Sequence, residues 1–241
     1  MNELAHTLST ETADPPADAH RPVMLALETA AVTVGTLAVV RWLHARPSDP
    51  ARWLTIPCAL VAAALLPAWI TRRDFPRIGL HVESFRRALP MVLGVSLYVF
   101  PAVFIGLWLL ASSGLPIPLR AAPTDQRSWL TWLLYQFLYV AVSEEVFFRG
   151  YVQTNVRSML GIRDVSDETS RATREAVPIL VSAACFALAH VVVQAQIVSI
   201  LTFLPGLLLA WLFVRTRSLL ASILFHGLAN VSYGIMAMAF A

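Results

Sequence analysis

The chain has 241 residues, 57% of them hydrophobic and 14% charged, with a formal net charge of +3. About a quarter of the residues of an ordinary soluble domain are charged, so this composition argues against a water-soluble globule, and so small a net charge gives nucleic-acid binding no support. All 18 basic residues are arginine; the two cysteines, Cys58 and Cys185, lie in apolar segments without CxxC or Cys/His spacing, which leaves a disulfide framework and a thiolate metal site unsupported.

Residues 1 to about 21 are polar and acidic, include Pro15 and Pro16, and lack the basic and apolar regions of a cleavable signal. They read as a disordered tail. Seven apolar segments follow, at roughly 23–40, 53–71, 88–111, 129–152, 177–193, 197–214 and 219–240, and about 20 apolar residues suffice to cross a bilayer. The expected architecture is an all-α polytopic transmembrane helical bundle of about seven spans, with three helices and basic loops over 22–128 and a four-helix core over 129–241.

With the amino terminus inside, thirteen arginines fall on the cytoplasmic side and five on the other, namely Arg41, Arg46, Arg52, Arg120 and Arg127. The positive-inside rule favours that orientation. The segment 72–87 mixes arginines with Phe75, Ile78, Leu80, Val82 and Phe85 and reads equally well as an interfacial segment or an ordinary basic loop. Residues 158–176 are polar and read as a loop, with Pro178 in the first turn of the next helix. No internal repeat is apparent, which weakens the reading as an inverted-repeat transporter.

Six ionisable residues fall inside the apolar segments: Glu28, Glu144, Glu145, Arg149, His190 and His226. Charged groups there cost roughly 2.5–3.5 kcal/mol each on insertion scales and mark functional sites by default. Five of the six form three local patterns. In Glu144-Glu145-Val146-Phe147-Phe148-Arg149, helical spacing lets Glu145 pair with Arg149 and leaves Glu144 free as a general base. In Phe186-Ala187-Leu188-Ala189-His190, the phenyl ring lies one turn from the imidazole and can fix its orientation. In His226-Gly227-Leu228-Ala229-Asn230, two hydrogen-bonding side chains share a face, and Gly227 and Ala229, like the alanines around His190, let helices approach closely. A lone histidine in an apolar helix is more often a packing residue, and Asn230 by itself fits an interhelical clamp; the three patterns gain weight from one another.

Depth counting from the segment ends puts Glu144 and His190 each about 20 Å from the cytoplasmic side, and His226 and Asn230 roughly 10 and 17 Å from it. That predicts one cavity in the cytoplasmic half, open to water from that face.

Together the patterns resemble the CPBP family of intramembrane endopeptidases, the CAAX proteases of the Ras-converting-enzyme type and their bacterial Abi relatives, whose EExxxR, FxxxH and HxxxN motifs occur in this order on separate helices. The resemblance covers about residues 129–230; nothing before it is matched. It implies a glutamic-type protease in which Glu144 and His190 activate a water, His226 and Asn230 bind the oxyanion, and Glu145, Arg149 and Phe186 support the site. It implies no cofactor, a membrane-associated peptide or a membrane-protein C-terminal tail as substrate, membrane lipid as surroundings and a bacterial inner membrane as location. Residue type alone also fits a zinc site of Glu144, His190 and His226. A proton-coupled transporter using these residues as a relay, or a non-catalytic membrane scaffold, are the readings from other classes. There is no HExxH pair, no aspartate within a predicted span and no convincing serine-nucleophile motif.

Overall fold

The computed structural model describes residues 20–46, 52–71, 82–114, 129–162 and 168–240. These residues form seven helices and no strand: α1 (His20–His44), α2 (Arg52–Ile70), α3 (Val82–Ser112), α4 (129–159), α5 (Glu168–Gln194), α6 (Phe203–Thr216), which a 3-10 turn Ile197–Thr202 precedes, and α7 (Leu219–Phe240). Six of them are long and apolar enough to cross a membrane, and the chain is an integral membrane protein. The exception, α4, is interrupted by π-helical stretches and holds Glu144, Glu145 and Arg149. Its second half is the inner part of the bundle, where most residues from Ala141 to Asn155 are buried, while Leu130, Leu134 and Leu138 in its first half are exposed.

Polar side chains tie α4 to its neighbours and fix the direction of each. Tyr151 Oη donates to Glu28 at 3.2 Å and Asn155 Nδ2 to Thr29 Oγ1 at 3.0 Å, both on α1. Ser182 of α5 donates to the Phe148 carbonyl at 3.0 Å, and Arg157 pairs with Glu175 at 2.6 Å. Gln153 Nε2 donates to the Ala210 carbonyl of α6 at 3.1 Å. Trp53 of α2 meets Tyr135 edge-on, with centroids 5.1 Å apart. Residue numbers rise together along α2, α4 and α6 and in opposition along α1 and α5, so the bundle runs up and down. Glu28, unexplained by the motifs, thus has a partner in Tyr151.

Glycines set the closest approach. A Cβ on Gly227 would lie 2.3 Å from Cδ1 of Phe137, and one on Gly234 would lie 2.7 Å from Cζ2 of Trp132. Only hydrogen in place of a side chain lets α7 lie this close to α4, the small-residue packing that membrane helices use in place of a hydrophobic driving force. By contrast α3 packs mainly along α7, where Phe100 stacks on Phe225 at 5.4 Å, and leaves Leu93, Leu97 and Tyr98 exposed to the surroundings. Four exposed tryptophans stand at the end of α1 (Trp42), the start of α2 (Trp53), the end of α3 (Trp108) and the start of α4 (Trp129), while Trp69 stands at the other end of α2 and Trp211 within α6. Indoles favour the membrane–water interface, and these four define one end of the bundle, below called the tryptophan end.

Two stretches differ from the expectation. The loop read over 158–176 is mostly helix: α4 continues to Met159, Gly161 at φ +60° closes its end, and α5 already begins at Glu168. Polar residues form helix as readily outside an apolar slab as inside it, so hydropathy could not locate the boundary, and Pro178 sits within α5 instead of its first turn. Of the segment 72–87, residues 72–81 lie outside the described residues, as does the tail up to residue 19, while Val82 onward belongs to α3.

Candidate active site

The glutamate pair occupies a short α-helical segment, Val142–Glu145, between two π-helical stretches, Tyr135–Ala141 and Val146–Gln153. In π-helix the backbone bonds run i→i+5, a widened turn often met at functional sites. Glu145 and Arg149 still meet across this change, at 2.9 Å, both with fully buried side chains. Arg149 Nη2 also donates to the Gly206 carbonyl of α6 at 3.0 Å, and its guanidinium lies 4.6 Å from the centre of the Phe186 ring. One cation thereby joins α4, α5 and α6.

Glu145 has a second partner. Its Oε1 lies 2.8 Å from His226 Nδ1, which makes that nitrogen the donor, because a carboxylate only accepts. Across α5, His190 Nδ1 lies 2.9 Å from the Phe186 carbonyl and is a donor for the same reason. Both imidazoles therefore turn Nε2 toward Glu144, whose Oε2 lies 3.9 Å from His190 and 3.7 Å from His226. That oxygen is buried and takes no hydrogen bond from the protein. Phe186 packs against both rings, with centroids 4.4 Å from His190 and 5.7 Å from His226.

Chemically, the arrangement is a carboxylate with two imidazole nitrogens at separations slightly too long for direct hydrogen bonds. A water seated beside these groups, not between them, reaches more than one of them and can give a proton to one. The structure thus brings Glu144, His190 and His226 together and places Glu145, Arg149 and Phe186 behind them. Asn230 is the outlier. It stands one turn beyond His226 on α7, half-buried, without a hydrogen bond among the described residues. Nor do the described residues contain a group of three His, Cys, Asp or Glu side chains arranged to hold a metal ion.

Glu144 and His190 line a cavity of about 270 Å³. Its walls are Leu37 and Val40 of α1, Ile56 and Leu60 of α2 and Phe148 of α4, and it extends to His44, Trp53 and Gln194. These last residues stand at the end of α1, the start of α2 and the end of α5, so the cavity runs toward the tryptophan end. That is the opposite end from the one depth counting indicated. The count measured His190 from residue 177, whereas α5 starts at Glu168 and ends at Gln194, one turn past His190.

Several supporting groups were absent from the motif reading. Gln153 is four residues after Arg149, Ser182 four before Phe186 and Ser222 four before His226; each is buried and bonded to the backbone of a neighbouring helix. A polar residue one helical turn from each motif was the available signal.

Residues 126–232 match a family model described as type II CAAX prenyl endopeptidase Rce1-like. No curated protein and no solved structure matches the chain.

Proposed function

We propose, from the premise that the segment 126–232 belongs to the Rce1-like endopeptidase family, that Glu144 is the general base of an intramembrane protease cleaving a membrane-associated peptide or protein tail. The observation that carries this reading is the placement of Glu144 Oε2 between His190 Nε2 and His226 Nε2, at 3.9 and 3.7 Å, on the wall of a cavity.

In this mechanism a water held by Glu144 and His190 loses a proton to Glu144 as its oxygen bonds to the scissile carbonyl carbon. The carbonyl π electrons move onto oxygen, and the tetrahedral oxyanion is stabilised by donors preorganised in a water-poor site. His226 supplies one such donor in its imidazolium form, in which Nε2 carries a proton and Glu145 balances the charge through Nδ1. Asn230, one turn beyond His226 on α7, supplies the second. Collapse of the intermediate breaks the C–N bond, and the proton taken by Glu144 passes to the departing amine, leaving a carboxyl and an amino terminus. Glu145, Arg149 and Phe186 are positioning residues: they hold the imidazoles and touch no reacting atom. All these steps run through the protein's own groups, without a metal or cofactor.

The arginine asymmetry supports a cytoplasmic amino terminus, and we assign the chain to a bacterial inner membrane, with helices α1–α3 flanking a catalytic core of α4–α7.

The test is cleavage in the membrane. Comparative proteomics of cells carrying the wild-type chain or Glu144→Gln should find membrane-protein tails that persist only in the variant, with both proteins equally extractable in detergent. Identical tail profiles would sink the reading. Chelator inhibition reversed by zinc would favour a metal-dependent protease built on the same residues, and Glu144-dependent proton flux in liposomes without proteolysis would favour a relay in transport.

A further inference from the structure

The family match begins at residue 126, yet half of the cavity wall comes from before it. Leu37 and Val40 lie one turn apart on α1, and Ile56 and Leu60 one turn apart on α2; all four face the space that Glu144 and His190 line. Val40 and Leu60 are each 6% exposed, so they are fixed in the packing, not mobile surface groups. The walls between the catalytic pair and the far end are apolar, and the polar lining groups are at the ends: Glu144 and His190 at one, His44 and Gln194 at the other.

Size constrains the occupant. Sites for drug-sized ligands run from about 300 to 1,000 Å³, so a space of about 270 Å³ takes a single large side chain, not a folded or helical segment. A peptide lying with its carbonyl at Glu144 has the side chain of a flanking residue within reach of these walls. We propose that Leu37, Val40, Ile56 and Leu60 form a specificity pocket that selects a large apolar side chain beside the scissile bond. The pocket rests on the proteolytic reading above and extends it: the matched segment supplies the chemistry, while α1 and α2, which lie before that segment, set which bond is cut.

Burying an apolar side chain in a preformed apolar pocket is favourable in proportion to the area removed from water, and a mismatch of one methylene changes kcat/KM by about 10-fold to 200-fold. The experiment uses the full chain in liposomes with internally quenched peptides. These share one apolar tail and differ at the two residues flanking the cleaved bond, set in turn to Gly, Ala, Leu, Phe and Trp. Wild-type protein is expected to cut the Leu or Phe peptides at least about tenfold better than the Gly peptide. Leu60→Trp fills the pocket and shifts the preference to Ala and Gly. Val40→Ala enlarges it, shifts the preference toward Trp, and serves where the bulkier variant does not fold.

Cleavage that Glu144→Gln abolishes, with the same preference in wild type and in the pocket variants, overturns the pocket and leaves the protease standing. A flat wild-type preference does the same. Absence of any Glu144-dependent cleavage across the peptide set overturns both.

Discussion

Glu145 holds His226 by its Nδ1 at 2.8 Å, so the second glutamate of the pair reaches α7 as well as its helical neighbour Arg149. Its Oε1 serves both contacts. This carboxylate holds Nδ1 as a donor and so turns Nε2 of His226 toward Glu144. Replacing Glu145 by Gln keeps the size and an acceptor but removes the charge facing His226 Nδ1, on which the proposed oxyanion role of His226 rests. Activity on a cleavable peptide should fall on the order of 100-fold in kcat, the scale of losing one oxyanion donor, with KM nearly unchanged. An equal loss through KM alone would assign Glu145 to binding.

The buried ion pair makes a separate prediction about stability. Arg149 and Glu145 are both fully buried, and removing Arg149 leaves the Glu145 carboxylate buried with the bond to His226 but without its cation, at a cost of up to about 3–5 kcal/mol. Arg149→Met should lower thermal stability in detergent by that order. The double variant Arg149→Met with Glu145→Gln should recover much of it, because no lone charge remains. Equal stabilities for the single and double variants would mean the pair is not coupled.

At Gly227 the prediction concerns packing. An added Cβ would lie 2.3 and 2.4 Å from two atoms of the Phe137 ring, so Gly227→Ala pushes α7 from α4 beside His226. Overpacking of this kind typically costs about 1–3 kcal/mol. Phe137→Ala should relieve the clash and restore part of the lost activity in the double variant. Failure of that rescue would place the fault elsewhere than in this contact.

A gain of stability is expected at the turn after α5. Ala195 is exposed and adopts φ +53°, a left-handed conformation that costs an L-residue roughly 1–2 kcal/mol. Glycine relieves that strain while adding unfolded-state entropy, so Ala195→Gly should stabilise by up to about 1 kcal/mol. Thermal unfolding in detergent reads the difference directly, and a lower melting temperature would contradict the assigned turn.

Orientation can be tested by labelling. If the amino terminus is cytoplasmic, the end of the bundle that carries His44 and Trp53 faces away from the cytoplasm, and the cavity runs toward that face. In a chain with Cys58 and Cys185 replaced, a cysteine at Arg46 should react with an impermeant maleimide added outside intact cells, whereas one at Ser158 should react only after permeabilisation. The reverse pattern would invert the assigned topology and deliver substrate from the cytoplasm.

The membrane-spanning helical class was legible in the sequence because length and apolar composition are local properties, which any window of the chain displays. So was the pairing of Glu145 with Arg149: four residues apart on a helix, they meet whatever the neighbours do. The ends of α4 and α5 were less legible, since polar residues such as Glu168 and Arg174 extend a helix beyond the apolar slab without any change in hydropathy pattern at its true boundary.

What tertiary structure decided lies between helices. Sequence distance says nothing of the bond from Glu145 to His226, which depends on Gly227 letting α7 close on α4, nor of the apolar wall that α1 and α2 lend to Glu144 and His190. Nor does any residue pattern announce the π-helical turns on either side of the glutamate pair, whose backbone geometry is set by the helices packed around them. The sequence by itself determined which polar groups enter the membrane; the tertiary structure decided which of them face one another, because that depends on helix packing and boundary positions that no local window contains.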